Sequence, residues 1–89
     1  MENLEGNRSV GEEAAKDAVS RELDSLNVRR KDLEKQIENL HKDRQQYSLQ
    51  GNQEMVNEAT EVITLTQRDL SDVMQQVRQL REQQAGFEK

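Results

Sequence analysis

Apolar residues recur every three or four positions along most of the chain, which is the spacing of a heptad repeat. We call the repeating sites seam positions. In the first half they are Val19, Leu23, Leu26, Arg30, Leu33, Ile37, Leu40, Arg44 and Tyr47, with arginine at two of them. In the second half they are Val56, Ala59, Ile63, Thr66, Leu70, Val73, Val77, Leu80, Gln84 and Phe87. The spacing predicts two long α-helices, and no stretch alternates with the period of two that a strand requires.

The two halves of the repeat are separated by Gly51 and Asn52. Glycine adopts the left-handed conformation that closes many helices, and asparagine is a preferred N-cap residue for the helix that follows. Glu54 would then lie in the first turn of the second helix, near the positive end of its dipole. The pair therefore predicts a turn. The alternative is one continuous helix that tolerates the glycine at a cost of about 1 kcal/mol.

A short turn at this pair brings the two repeats into register. If Tyr47 meets Val56, then Leu40 meets Ile63 and every later pair of seam positions also matches. The predicted fold is all-α: two long helices forming an antiparallel coiled-coil hairpin over residues 11–89, with helix one at about 12–50, the turn at 51–52 and helix two at about 53–86. Residues 1–10, which lack the repeat, are predicted to be a disordered N-terminal lead. An opened turn would instead give a domain-swapped dimer with the same seam.

Composition limits the kinds of protein that the chain can be. Its 89 residues suffice for one small domain, and they are 35% charged and only 31% hydrophobic, so a compact core is hard to build. The net charge of −5 argues against nucleic acid or an anionic membrane as partner. No segment is apolar enough to cross a membrane, and the acidic start is unlike a secretory signal. We therefore expect an intracellular protein, of unknown compartment.

Residues able to carry chemistry are sparse. The chain has no cysteine, which excludes disulfides and thiolate metal sites, and His41 is its single histidine. No second histidine or carboxylate cluster accompanies His41 as metal ligands would, and no nucleophile lies beside it. The serines and threonines lack triad partners, and no phosphate-binding loop occurs. The sequence predicts a protein that is not an enzyme and that holds no cofactor or metal.

Two sets of residues are candidates for binding. The first set widens the apolar stripe of the second helix, and it either closes the hairpin seam or forms an interface for a partner helix or a second copy in a four-helix assembly. Its members are Met55, Val62, Leu65 and Met74. The second set is a basic face whose cations are interrupted by acids and lack aromatic neighbours, so a solvated helix face is the simpler interpretation. Its members are Arg29, Arg30, Lys31, Lys35 and Lys42.

The segment LEKQIENLHKDRQQYSLQGNQEMVNEA, residues 33–59, resembles helical hairpins of three known families. It is similar to a helical stretch of a zinc-finger splicing family that helps to select 5′ splice sites, through Leu33, Ile37, Leu40, Gly51 and Asn52, although this chain has no zinc-ligating cysteine. It also resembles the tRNA-binding coiled-coil arm of seryl-tRNA synthetases and the antiparallel fingers of Rho-GTPase effectors.

The favoured function is a non-enzymatic coiled-coil module for protein–protein interaction or assembly. The arginines at seam positions allow two interpretations: long side chains whose charged heads reach water, or residues that control register or meet a partner carboxylate. The resemblances imply two alternative functions. One is a helical arm that contacts RNA or a ribonucleoprotein through the basic face, and the other is a small-GTPase effector finger.

Overall fold

The computed structural model describes the backbone of residues 2–87 and the side chains of residues 11–87, and within that range it contains two helices and no strand. Helix α1 spans Glu2–Leu49 and helix α2 spans Gln53–Phe87. The molecule is a rod of 74 × 16 × 15 Å. The all-α antiparallel hairpin that the heptads predict is confirmed. None of the described helices carries the long apolar stretch that a membrane crossing requires.

The turn forms because Gly51 takes the left-handed conformation, with φ of 74°. The amide of Asn52 donates a hydrogen bond to the carbonyl of Tyr47 at 2.9 Å, and the amide of Gly51 donates to the carbonyl of Ser48 at 3.1 Å. These two bonds are the Schellman pattern, in which a left-handed residue lets the last carbonyls of a helix find donors. The predicted helix stop at Gly51 is confirmed, and the continuous helix is excluded.

Helix α2 begins at once because Asn52 caps it. The Asn52 side-chain oxygen accepts a hydrogen bond from the amide of Met55 at 3.2 Å, and its carbonyl accepts the first helical bond from Val56 at 3.1 Å. The side chain thus satisfies one of the amides that a helix start leaves without a partner. Only residues 50–52 separate the helices, so α2 must run back along α1.

The buried side chains are the seam residues. On α1 they are Val19, Leu23 and Leu33, and on α2 they are Ala59, Ile63, Thr66, Val73, Val77 and Leu80. Leu26, Leu70 and Phe87 pack against the largest buried cluster, which lies in the half of the rod remote from the turn. No side chain among residues 11–87 is more than 98% buried. A seam between two helices therefore leaves even its best-covered residues in partial contact with water.

Polar seam residues are accommodated in different ways. Thr66 is buried, and its hydroxyl donates to the Val62 carbonyl of its own helix at 2.8 Å, which satisfies it without a partner on α1. Arg44 is exposed. Arg30 is half-buried: its side chain is 34% exposed, and its Nε lies 3.9 Å from a Glu34 carboxylate oxygen but makes no hydrogen bond. Both arginines fit the interpretation of long side chains whose heads reach water.

The start of α1 differs from the sequence expectation. The helix begins at Glu2, before the start predicted near residue 12, because no proline interrupts residues 2–12 and a glycine within a helix costs only about 1 kcal/mol. α1 has 48 residues and α2 has 35, so the first part of α1 extends past the described end of α2. The disordered lead over residues 1–10 stays a prediction.

Candidate functional site

Three of the interface candidates lie together on one side of α2. Val62 and Leu65 are exposed, at 41% and 53%, and Met55 is half-buried. An α-helix turns by about 100° per residue, which places Val62 about 20° from Met55 and about 60° from Leu65 around the axis. The three side chains therefore form one apolar stripe beside the buried seam, and the hairpin covers it only in part.

Met74, the fourth candidate, is on the opposite side of the helix. It is 52% exposed, and it lies nine residues after Leu65, which corresponds to a rotation of about 180°. Each residue of the stripe directly precedes a seam residue, whereas Met74 directly follows Val73. The prediction that all four widen one apolar stripe is therefore wrong for Met74, which the geometry of the helix separates from the other three.

Met74 lines an open groove of its own. One part of this groove has a volume of about 380 Å³ and is lined by Met74, Val77 and Ala85 together with Arg30, Arg78, Arg81 and Glu82. The adjoining part, about 440 Å³, shares Met74 and Arg78 and is otherwise lined mainly by uncharged polar residues. The sequence gives no sign of this groove, because Arg78 and Arg81 are far from Arg30 along the chain and come near Arg30 only when the hairpin closes.

Acidic residues follow the apolar stripe closely. Every acid between residues 53 and 72 lies within about 40° of Leu65 around the helix axis. These acids are Glu54, Glu58, Glu61, Asp69 and Asp72, and all five are exposed. We call these five residues together with Met55, Val62 and Leu65 the acidic flank. Arg68, at about 60° from Leu65, is the one base in the same stretch of sequence and lies at the edge of the flank.

The side of α2 that faces away from the acidic flank has no charge over the same length. Thr60, Gln67 and Ser71 lie between about 120° and 160° from Leu65, and Met74 lies beyond them. Two threonines of this half of α2, Thr60 and Thr64, donate their hydroxyls to carbonyls four residues earlier, at 2.8 and 3.0 Å. The charge of α2 is therefore distributed unevenly around the axis, and it is concentrated beside the exposed apolar residues.

The basic residues predicted as a face do not share one direction. Lys31, Lys35 and Lys42 lie within about 40° of one another on the outer side of α1, but Arg29 is about 160° from Lys31 and Arg30 is half-buried at the seam. Lys42 also pairs with Glu38 at 3.5 Å. The cations available in one direction are thus three lysines with acids among them, fewer than the sequence suggested.

Among the side chains that the structure describes, no ion pair joins the two helices. Among the side chains of residues 11–87, the two pairs present, Arg30–Glu34 and Lys42–Glu38, lie within α1 at a spacing of four residues. The acids of the acidic flank therefore have no cationic partner in the part of the chain whose side chains the structure describes. They do not contribute salt bridges to the hairpin.

His41 lies on an exposed part of α1 near the turn, where it lines a shallow groove of about 330 Å³ with Arg44 and Val56. In the described part of the chain, no group of three or more His, Cys, Asp or Glu side chains is arranged to hold a metal ion. The expectation that the chain is not an enzyme and holds no cofactor stays a prediction.

Comparison of the chain with protein-family models, with curated protein sequences and with solved structures finds no match. The likeness of residues 33–59 to the hairpins of three families therefore remains a resemblance in heptads and turn, and the function must be argued from the surface of the rod.

Proposed function

We propose that the chain is a non-enzymatic coiled-coil module that presents a helical face to a protein partner or to a second copy of itself. The observation that carries this proposal is the pair Val62 and Leu65, which remain 41% and 53% exposed although the seam beside them is buried. They lie one turn apart, with Met55 one heptad earlier, so they form a continuous stripe. Isolated apolar residues on a surface need no explanation, but a stripe beside a seam is the arrangement through which helices add to a bundle.

The energy available from this stripe suits a helix-in-groove contact. Complete burial of a valine or leucine side chain stabilises by about 1.5–3 kcal/mol, and roughly half of each remains to be buried here. Val62, Leu65 and Met55 would then supply a few kcal/mol, which is enough to orient a partner helix but not to hold it alone. Further contacts along the 74 Å rod would complete the interface.

The test is affinity capture from native extract with three forms of the chain. The first is the wild type, and the second carries Val62→Asp with Leu65→Asp. The third is a matched control with Val28→Asp and Leu49→Asp, two residues that are 62% and 82% exposed and lie on α1. We expect the first double variant to lose partners that the control retains, while both keep most of their helicity by circular dichroism because all four substituted side chains are exposed.

Two outcomes would contradict the proposal. If helicity falls together with binding in the Val62/Leu65 variant, those residues belong to the fold and not to an interface. If both double variants retain the same partners, the stripe is not the binding surface. A parallel capture with nuclease examines the RNA-arm alternative, because binding through phosphate contacts would be lost with nuclease and would fall steeply with salt.

A further inference from the structure

We infer that the acidic flank docks a basic amphipathic helix of another protein. This inference rests on the proposed function and names the chemistry of the partner. The apolar part of the surface is the stripe of Met55, Val62 and Leu65, which the hairpin leaves uncovered. The five acids around that stripe determine which kind of helix can cover it.

The distribution of charge around α2 carries the argument. All five acids of residues 53–72 lie within about 40° of Leu65, and the side that faces away from them is uncharged over the same length. Acids placed only for solubility or helix formation would be spread around every exposed side of the helix. Here they border the one stripe of apolar residues that is still exposed, which is how a docking surface selects an oppositely charged partner.

The hairpin itself does not require this arrangement. No ion pair joins α1 to α2 among the side chains of residues 11–87, so the acids are not held in place by cations of the first helix. Their charge is directed outward, where it raises the local concentration of a cationic segment and suppresses anionic ones.

The same charge argues against a second copy on this surface. Two copies that meet through the acidic flank would place ten acids, five from each, in one interface with no compensating base except Arg68. Like charges opposed in this way destabilise a contact. A nucleic-acid backbone is disfavoured for the same reason, which leaves a cationic helix as the complementary occupant.

The spacing of the stripe sets the shape of that helix. Met55 and Leu65 are ten residues apart along α2, or about 15 Å, so roughly three turns of a partner helix would cover them. The partner needs apolar residues at heptad spacing on one face, with lysine or arginine along the border of that face that meets the acids. Such a helix is basic and amphipathic, with its charge next to its apolar stripe.

The probe for this inference is a synthetic peptide of about five helical turns in which leucines repeat at heptad spacing and lysines fill the bordering positions. A matched peptide keeps the leucines and replaces the lysines by glutamate. Binding is measured by fluorescence anisotropy, and the contact surface is mapped by the amide shifts of the isotopically labelled chain. We expect the lysine peptide to bind, to shift the amides of residues 54–72, and to weaken as salt is raised.

Charge-reversal variants distinguish the effect of the acidic flank on peptide affinity from the effect of the net charge of the chain. Asp69→Lys with Asp72→Lys should weaken binding of the lysine peptide by about tenfold or more. The matched control, Asp24→Lys with Glu82→Lys, makes the same change in net charge at two exposed acids away from the flank, and it should retain nearly full affinity. Asp69→Asn with Asp72→Asn should give an intermediate loss, which excludes a defect specific to introduced lysine.

Four results would overturn the inference. Equal weakening by both reversals would assign binding to net charge alone, and amide shifts around Met74 would assign it to the other side of α2. Equal binding of the glutamate peptide would leave an apolar interaction surface, as the proposed function requires, but would remove its preference for a basic helix. Failure of both peptides to bind would refute the inference, while the capture experiment with Val62 and Leu65 would still decide the proposed function.

Discussion

Replacement of Gly51 by alanine tests the turn, because a turn and a continuous helix predict changes of opposite sign in the free energy of unfolding. Gly51 has φ of 74°, and an added Cβ would meet no atom within 4 Å, so the cost of alanine comes from the backbone conformation alone. An L-residue pays roughly 1–2 kcal/mol for the left-handed conformation. Alanine also reduces the freedom of the unfolded chain, which offsets about 0.4–1 kcal/mol. The expected net loss in the free energy of unfolding is therefore about 1 kcal/mol, within limits of roughly 0 to 1.6 kcal/mol.

The assay is thermal and urea unfolding followed by circular dichroism, at two protein concentrations to verify that unfolding is unimolecular. A loss near 1 kcal/mol lowers the midpoint temperature of a chain of this size by roughly 4–8 °C. Gly86→Ala is the control, because Gly86 lies in the last turn of α2 with open space at its Cβ and should gain less than the roughly 0.5–1 kcal/mol of a mid-helix glycine. Gly51→Asn should lose less than Gly51→Ala, since asparagine tolerates the left-handed conformation.

A stabilising effect of Gly51→Ala would refute the reasoning. In a continuous helix, alanine is better than glycine by about 1 kcal/mol, so both substitutions would then raise the midpoint. A midpoint that becomes concentration-dependent only in Gly51→Ala would show that the turn opens and the hairpin exchanges helices with a second copy. The direction of the shift at Gly51, compared with that at Gly86, is thus the decisive quantity.

Two further predictions concern the seam. Leu33 is 7% exposed, and Leu33→Ala should lower the free energy of unfolding in urea by roughly 2–3 kcal/mol. This is the lower part of the range for core leucines, because water already reaches this seam. Val28 is 62% exposed, and Val28→Ala should change the free energy of unfolding by less than about 0.5 kcal/mol. Equal effects at the two sites would mean that the seam is not the core. Arg30→Met should raise the free energy of unfolding by about 1 kcal/mol, because it removes a buried Nε that has no hydrogen-bond partner. The substitution also removes the ion pair with Glu34, which contributes little at a separation of 3.9 Å. A lower stability would show that this ion pair contributes more than its 3.9 Å separation suggests.

The fold could be predicted from the sequence because it depends on local signals that agree with one another. The heptads select which side of each helix is buried, and Gly51 with Asn52 supplies both the left-handed stop and the N-cap. The start of α1 could not be predicted in the same way. The capping-box spacing of Ser9 and Glu12 predicts a start near Val10, but the helix continues through it to Glu2, and no proline lies before Val19 to mark a boundary.

The candidate site could be predicted only in part, because distance from the seam does not tell on which side a residue lies. Met74 and Val62 are both next to seam residues along the sequence, yet Val62 precedes Ile63 and Met74 follows Val73. That difference places the two side chains on either side of the seam, about 120° apart around the helix axis. The groove around Met74 was beyond sequence reasoning for another reason, since it forms from Arg30 of one helix and Arg78 and Arg81 of the other.

The positions of the charges indicate how folding and binding are divided in this molecule. The two ion pairs among the side chains of residues 11–87 are both internal to α1. The apolar seam and the turn at Gly51 are therefore sufficient to set the register of the hairpin. If the acids beside Leu65 serve the docking that we propose, their reversal at Asp69 and Asp72 should alter binding of the lysine peptide while the unfolding free energy stays within about 0.5 kcal/mol of the wild type, as for other exposed substitutions.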